Sequence, residues 1–413
     1  MKSPYCPNLR VRLARPLLLA AVASTIALSQ ATADWLQVRG PNGNGMIDNI
    51  RLPAKLDRKN IQWAADLPGR GLSSPIVVGD RIFVTCASGP KQARLHVICF
   101  NAADGSRRWE RQFWATGRTM SHDKTCVAAP TPASDGERLF AIFSSNDLVC
   151  LDLEGNLLWL RGLTRDYPNA SNSLGMSSSL AVSDGIVVAM VENDSESFTA
   201  GLDARTGVNR WKLARPKMAN WTSPVLLASA GQPALVALQS GKGISAVEVA
   251  TGRTAWEYSD GASTIPSSTP SGGVLYVPSR GLTALQPGVD GQSPKQLWRS
   301  SQLRPSTPSP VIVGNLIFTL NEAGVLTSGS ITDGSRKWQL RLKGPFSATP
   351  VGSGNLLYCV NEKGLLQVVD TSAPEGAVTS ELDLARTILS TPSIGRDAVY
   401  VRSDATLWKL GQP

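Results

Sequence analysis

The stretch NAADGSRRWERQF (residues 101–113) decides the fold, because its skeleton returns: DARTGVNRW ends at Trp211, VATGRTAW at Trp256 and TDGSRKW at Trp338. Each copy places a glycine four positions before the largest side chain. Aligned on that side chain, Trp63, Trp109, Trp159, Trp211, Trp256, Trp298 and Trp338 follow one another at intervals of 40 to 52 residues, the period of a four-stranded propeller blade. Gly105, Gly155, Gly207, Gly252 and Gly334 precede five of them. Such a glycine supplies the positive φ of a tight hairpin turn, and the strand it opens carries the indole a fixed distance onward.

A second marker lies between the tryptophans. Ser-Pro or Thr-Pro opens an apolar run at Pro75, Pro132, Pro224, Pro270, Pro310, Pro350 and Pro392, all taken to be in register, and SSSLAV has Leu180 in the same slot. Eight strand starts predict eight blades. Proline cannot donate to a ladder, so these are expected to be edge strands facing a central channel. The tryptophan is assigned to the opposite, outermost edge, where its ring reaches the next blade. The last repeat stops before a fourth strand, and NIQWAADL (60–67) has no strands before it. Joined, they complete the ring. The predicted fold class is all-β: an eight-bladed β-propeller of four-stranded antiparallel blades, the last blade closed by the N-terminal strand.

Residues 1–33 read as a signal peptide. Lys2, Arg10, Arg12 and Arg15 precede PLLLAAVASTIALS, and ATA ends at Ala33 in an A-x-A cleavage pattern. The apolar run is shorter than the roughly 20 residues of a membrane span. A periplasmic or extracellular protein is therefore expected, with no transmembrane segment in the mature chain. Cleavage removes four positive charges and no negative one, taking the formal charge from +9 to +5. The remaining cations are scattered among acids, which argues against nucleic acid as a partner. Residues 34–58 form an N-terminal extension too rich in turn residues for a blade and expected to lie on the surface. Residues 59–413 are assigned to the propeller domain.

These residues resemble the quinoprotein-type (PQQ-like) β-propeller repeat, shared by quinoprotein alcohol dehydrogenases and the non-catalytic outer-membrane assembly lipoprotein family. The docking pattern of that repeat runs Ala-x-Asp-x-x-Thr-Gly-x-x-x-Trp. Ala246, Glu248, Thr251, Gly252 and Trp256 match with one acidic swap; Asp203, Thr206, Gly207 and Trp211 match with Gly201 in the alanine slot. The resemblance implies the fold over nearly all of the chain after residue 33. The motif holds blades together and touches no substrate, so it says little about activity. The dehydrogenases also carry a vicinal Cys-Cys pair and a calcium held by Glu, Asn and Asp near a catalytic Asp. No adjacent cysteines occur in this chain, and no calcium ligands or base can be matched to it.

The residues that could carry chemistry are few. Beyond Cys6, five cysteines remain. Cys99 and Cys150 fall in the small-residue slot of the docking repeat, and Cys359 lies mid-strand, so all three read as buried thiols. Cys86 and Cys126 end and begin strands on the same face, where a disulfide and two separate thiols are both open readings. His96 alternates within a strand and reads as structural, whereas His122 has no second histidine nearby to share a metal. No P-loop, H-E-x-x-H or G-x-S-x-G pattern occurs. No catalytic residue and no metal site are assigned. Two connections between blades are long, WATGRTMSHDKTCVA and TRDYPNASNSLGMS, and PKMANWTS follows one blade later. Long polar loops on a rigid scaffold are where binding tends to reside. Arg118, His122, Lys124, Tyr167, Asn169, Asn172, Asn220 and Trp221 are therefore the ligand-binding candidates, either as a recognition patch or merely as a cap on the channel.

The function expected is an exported, non-catalytic binding or scaffold module of the cell envelope, monomeric, with a protein or glycan partner and no cofactor. The alternative is a divergent quinoprotein oxidoreductase using PQQ and calcium.

Overall fold

Eight four-stranded antiparallel sheets make up the computed structural model, which describes residues 1–3, 34–48, 50–171, 174–227, 233–289 and 291–413. Apart from its first three residues, the expected signal peptide lies outside the described residues. Blades 1 to 7 span 76–114, 133–162, 181–214, 225–258, 269–300, 311–341 and 351–383. Blade 8 takes three strands from 393–411 and its fourth from Ile61–Asp66, which pairs antiparallel with Thr406–Gly411. The predicted closure is present. Each blade puts its first and third turns on one end of the ring, called here the turn face. Its second turn and the connection to the next blade lie on the opposite end, the connection face.

Proline marks the inner strands as expected, with one correction. Pro75, Pro132, Pro224, Pro310, Pro350 and Pro392 each stand one residue before an inner strand, and Leu180 does the same. Pro270 is two residues out of register: it pairs with Leu275 inside Thr269–Ser271, and Ser268 fills the slot. An edge strand tolerates the missing donor in either place. The hydroxyl in the preceding position has its own role. Ser74 N donates to Thr131 Oγ1, Thr131 N to Ser179 Oγ, Ser179 N to Ser223 Oγ, and Ser223 N to Ser267 Oγ. Ser267 N, Ser309 N and Thr349 N carry the chain on to Ser309, Thr349 and Thr391. Seven such bonds thus tie the eight inner strands into a belt around the channel.

The glycine and tryptophan of the repeat meet across blades rather than within one. Trp63 of blade 8 lies on Gly105 of blade 1, Trp109 on Gly155, Trp159 on Gly207, Trp211 on Gly252, and Trp298 on Gly334. These glycines have φ between 70° and 84°, and a Cβ on Gly105 would fall 2.6 Å from the Trp63 ring. Both the turn and the close approach therefore require glycine. The Nε1 of each of these five indoles donates to a carbonyl of the next blade, as Trp211 does to Val249 O at 2.8 Å and Trp159 to Ala204 O at 3.1 Å. The alanine slot lies cross-strand from the indole, Ala246 opposite Trp256 and Gly201 opposite Trp211. Gly201 is obligatory there, since a Cβ would come 2.1 Å from Trp211 Cε2.

The acidic slot of the motif organises the turn. Asp203 Oδ1 accepts from Arg205 N, Thr206 N and Thr206 Oγ1, each at 3.0 Å, and Oδ2 accepts from Arg210 Nη2 at 2.6 Å. The Arg210 hydrogen bond, then those from Thr206, hold this carboxyl at about 2. Because the folded value lies below the unfolded one, the stabilisation is complete above the ordinary carboxylate range and is lost as pH falls toward 2. Asp203→Asn is therefore expected to lower the melting temperature at pH 6 and to converge on wild type by pH 2. Thermal melts across that range check it, and a pH-independent difference would contradict it.

Blade 7 lacks a docking tryptophan, and the N-terminal extension fills the gap. Ser380 occupies the slot opposite Val368. Its hydroxyl accepts from Leu56 N at 2.7 Å and donates to Leu56 O at 2.9 Å. Leu52 and Leu56 are buried with Leu382, Val368 and Ile394 in the core between blades 7 and 8. The preceding part of the extension does not lie on the surface as expected. Trp35 is fully buried and bridges to Val77 on the inner strand of blade 1, while Met46 bridges to Gly352 on that of blade 7. Between them Ser134 N of blade 2 donates to Leu36 O, and Arg39 reaches Thr269 of blade 5. Turn-rich sequence suits this plug, because a coil of tight turns can enter a narrow channel that an extended strand would merely line. Gly79 N donates to Asp34 Oδ1, which fixes entry at the turn face.

The cysteine readings divide. Cys99, Cys150 and Cys359 are buried thiols, and burial pushes each up to about 12. Cys86 and Cys126 are also free, so the disulfide is not formed. Cys86 belongs to the core between blades 8 and 1 and Cys126 to that between blades 1 and 2. Cys86 Sγ instead faces Arg402 Nη2 at 3.6 Å.

Candidate functional site

The long connection after blade 1 is rooted by an acid of blade 2. Asp147 accepts from Thr116 N, Thr116 Oγ1 and Ser145 Oγ at 2.6 to 2.9 Å. From this root the loop crosses the channel mouth. Lys124 Nζ lies 3.3 Å from Glu362 and 3.5 Å from Glu322, on the second turns of blades 7 and 6. The hydrogen bond that Lys124 donates to Glu362 is the main influence raising its ammonium above the ordinary value. Arg70 supports the span by donating to Asp123 O. Since blades 1 and 6 are not neighbours, the loop caps the channel on the connection face.

The predicted residues lie in one continuous sector but point in different directions. His122 N donates to Leu174 O, Trp221 Nε1 to Gly175 O at 3.0 Å, and Trp221 N to Thr264 O, so successive connections are laced together. Arg118, His122, Lys124 and Asn169 are exposed. Arg118 Nη2 turns to Met120 Sδ, and His122 Nδ1 accepts from Lys124 N. Tyr167 faces inward: its ring packs on Phe198 at 4.5 Å, Lys212 Nζ sits 3.8 Å above it, and its hydroxyl accepts from Asn209. Asn220 is buried, donating to Glu192 Oε2 at 2.9 Å and to Gln239 O at 2.7 Å. Glu192 also accepts from Arg215 Nε at 2.6 Å; burial raises its carboxyl, against the pull of that arginine. Asn172 lies outside the described residues. Tyr167, Asn220 and Trp221 are thus committed to internal bonds, while Asn169 lines a cavity of about 720 Å³ with Phe198, Lys212 and Arg215.

His96 is structural, as read. It is buried between Ser88 Oγ at 2.7 Å and Glu110 Oε1 at 2.6 Å. Among the described residues no group of three or more His, Cys, Asp or Glu side chains could hold a metal ion. No redox step is derived from them.

Two features escaped the sequence reading. One is a cavity of about 1250 Å³ on the turn face, walled by the plug and by blades 3 to 5. The other is the outer strand of blade 2, Leu157–Gly162, on which Leu157, Leu158 and Leu160 are 51%, 49% and 40% exposed. The signal for the second lay in the sequence. Leu158 and Leu160 flank Trp159, whereas every other outer strand has a polar or charged residue on at least one side of that position.

With this geometry in hand, the sequence model of the family described as outer membrane protein assembly factor BamB matches residues 54–180, 169–273 and 282–375. The chain belongs to this family. The architecture agrees: the crystal structure of BamB from Moraxella catarrhalis superposes with a TM-score of 0.60 at 16% identity, covering 84% of this chain and 96% of that one. The fold is equally that of a dehydrogenase, since the quinohemoprotein alcohol dehydrogenase from Comamonas testosteroni gives a TM-score of 0.71 at 13% identity, covering 92% and 81%. Among curated proteins, a polyvinylalcohol dehydrogenase of Sphingopyxis sp. (strain 113P3) is 28% identical over 174 residues, 38% of this chain and 24% of the relative. A second, from Pseudomonas sp., is 27% identical over 174 residues, 38% of this chain and 25% of the relative. The chain matches only about a quarter of the length of these two. No helix among the described residues is long and apolar enough to cross a membrane.

Proposed function

We propose that this chain is an exported, non-catalytic scaffold of the cell envelope that holds a protein partner on the outer edge of blade 2. The observation that carries the reading is the leucine pair there. Leu158 and Leu160 project from a strand bonded on one side only, to Asp147–Asp152. Proteins ordinarily blunt such an edge with charge, and an exposed apolar one is suited to accept an extended strand from another chain. The occupant is accordingly an extended segment of a second envelope protein, adding to the sheet while its apolar side chains cover the leucines. Membership of a family described as an assembly factor supports the same role. The alternative, a quinoprotein oxidoreductase, draws on the partial match to polyvinylalcohol dehydrogenases, while no group of three or more His, Cys, Asp or Glu among the described residues favours it.

A photo-crosslinking residue at position 158 is expected to trap one partner of discrete mass in intact envelopes. The same group at position 337, the equivalent site in blade 6, should trap none, and Leu160→Asp should abolish the adduct. In parallel, purified protein given PQQ and calcium should not reduce a dye with alcohols. Equal adducts from both positions, or alcohol-dependent dye reduction, would sink the proposal.

A further inference from the structure

The plug carries one cation into the channel. Arg39 has φ 61°, and Gly40, Gly43 and Gly45 follow at 79°, 63° and 80°. Gly40 N donates to Gln37 O, Gly43 N to Gly40 O, and Gly45 N to Arg39 O, so the segment is a stack of tight turns. Trp35 lies on Gly40, where a Cβ would meet its ring at 2.8 Å. A non-glycine residue in the left-handed region has to be enforced by its surroundings. What the enforcement achieves is an inward guanidinium, with Arg39 only 4% exposed. Its Nη1 donates to Thr269 Oγ1 at 3.1 Å, and that hydroxyl in turn donates to Pro310 O at 2.7 Å.

Other buried cations are matched within the protein. Arg215 pairs with Glu192, and Arg402 meets two carbonyls, a hydroxyl and a thiol. Arg39 has no carboxylate partner among the described residues, and burial lowers it to about 10. It lines the turn-face cavity of about 1250 Å³ together with Val225, Leu227 and Val274, and the amides of Asn42 and Asn44. The exposed acids Asp48 and Asp184 also line it. The third acid there, Glu248, is already engaged by Thr251 Oγ1 and Arg253.

We infer that this cavity binds an amphiphilic monoanion, its carboxylate held by the Arg39 guanidinium and its apolar body against Val225, Leu227 and Val274. The planar fork of an arginine matches a carboxylate with two parallel hydrogen bonds. Apolar walls with a few placed polar groups, at this volume, are the character of a small-molecule site. Asp48 and Asp184 beside the cavity repel polyanions, so nucleotides and polyphosphates are disfavoured. Thr269 is a positioning residue that holds the guanidinium. The site lies at the turn face, apart from the blade 2 outer edge, so its failure would leave the scaffold reading standing.

Calorimetric titration of the full chain with octanoate, octanol and inorganic phosphate tests the assignment. Octanoate is expected to bind the wild type, with affinity falling about tenfold or more in Arg39→Gln. Octanol and phosphate should each bind the wild type at least about tenfold more weakly than octanoate, one lacking the charge and the other the apolar body. Thr269→Val keeps the charge but frees it, and should weaken octanoate by a smaller factor; it carries the test if Arg39→Gln does not fold. No octanoate binding to the wild type, equal binding to the variants, or phosphate binding as tight as octanoate would overturn the inference.

Discussion

Arg402→Ala is expected to destabilise the ring by about 3–5 kcal/mol, the scale for breaking a buried charge out of its network. Arg402 ends the strand Ala398–Arg402 of blade 8 and is fully buried, yet most of its contacts belong to blade 1. Nη1 donates to Thr85 O at 2.6 Å and Ser73 Oγ at 3.2 Å, Nη2 to Cys86 Sγ at 3.6 Å, and Nε to Ser403 O at 3.0 Å. The guanidinium sits so close to Gly71 that a Cβ there would come 2.6 Å from Nη2. Truncation leaves a cavity, a Thr85 carbonyl reduced to its long bond from Ser73 Oγ at 3.4 Å, and a loosened seam between blade 8, built from both ends of the domain, and blade 1. Arg402→Met refills much of the volume without restoring the donors, so its cost should fall between wild type and alanine. Urea unfolding read by circular dichroism measures both. A loss under about 1 kcal/mol for alanine would show that the belt and indoles hold the seam without it.

Most of the ring could be read from the sequence because its determinants recur. A residue repeated seven times at blade spacing, such as the docking tryptophan, announces itself. The same holds for the proline before the inner strand, where only the two-residue shift at Pro270 was hidden, since Ser-Thr-Pro and Ser-Pro look alike until the pairing with Leu275 is seen. What repeats cannot reveal is what happens once. The plug reads as surface because turn-rich sequence usually lies there, and nothing local says that Trp35 will meet Val77 inside the channel. Arg39 shares that blindness, being one arginine in a Gly-Pro-Asn run until a cavity is drawn around it. The loop candidates show the converse. Their adjacency was legible from blade order, but Tyr167 and Asn220 look like recognition residues in sequence and are satisfied internally by Phe198, Asn209, Glu192 and Gln239. The leucines flanking Trp159 were legible in principle, as the one break in a repeated polar pattern.

The second large effect is expected at the docking indoles, and the blades differ in a way that separates packing from hydrogen bonding. Trp211→Ala should cost about 3–5 kcal/mol, the range for emptying a buried aromatic site. Trp256 is more deeply buried, 2% exposed against 8%, but its Nε1 has no acceptor. The reason lies in the turn it faces. Blade 5 joins its third and fourth strands through 287–294, longer than the 249–253 turn that offers Val249 O to Trp211. Pro287, Gly288 and Val289 of that longer turn wall the turn-face cavity instead. Phenylalanine at position 211 should therefore lose about 1 kcal/mol more than phenylalanine at 256, the net worth of one hydrogen bond. Gly252→Ala, at φ 71° and with its Cβ 2.7 Å from the indole, should destabilise in the presence of Trp211 and less in Trp211→Ala. A coupling of about 1 kcal/mol or more in that double-mutant cycle would mean that glycine is required for the neighbour's ring as well as for its own turn. Additive costs would assign the glycine to the turn alone, and the repeat would then encode hairpins whose docking is incidental.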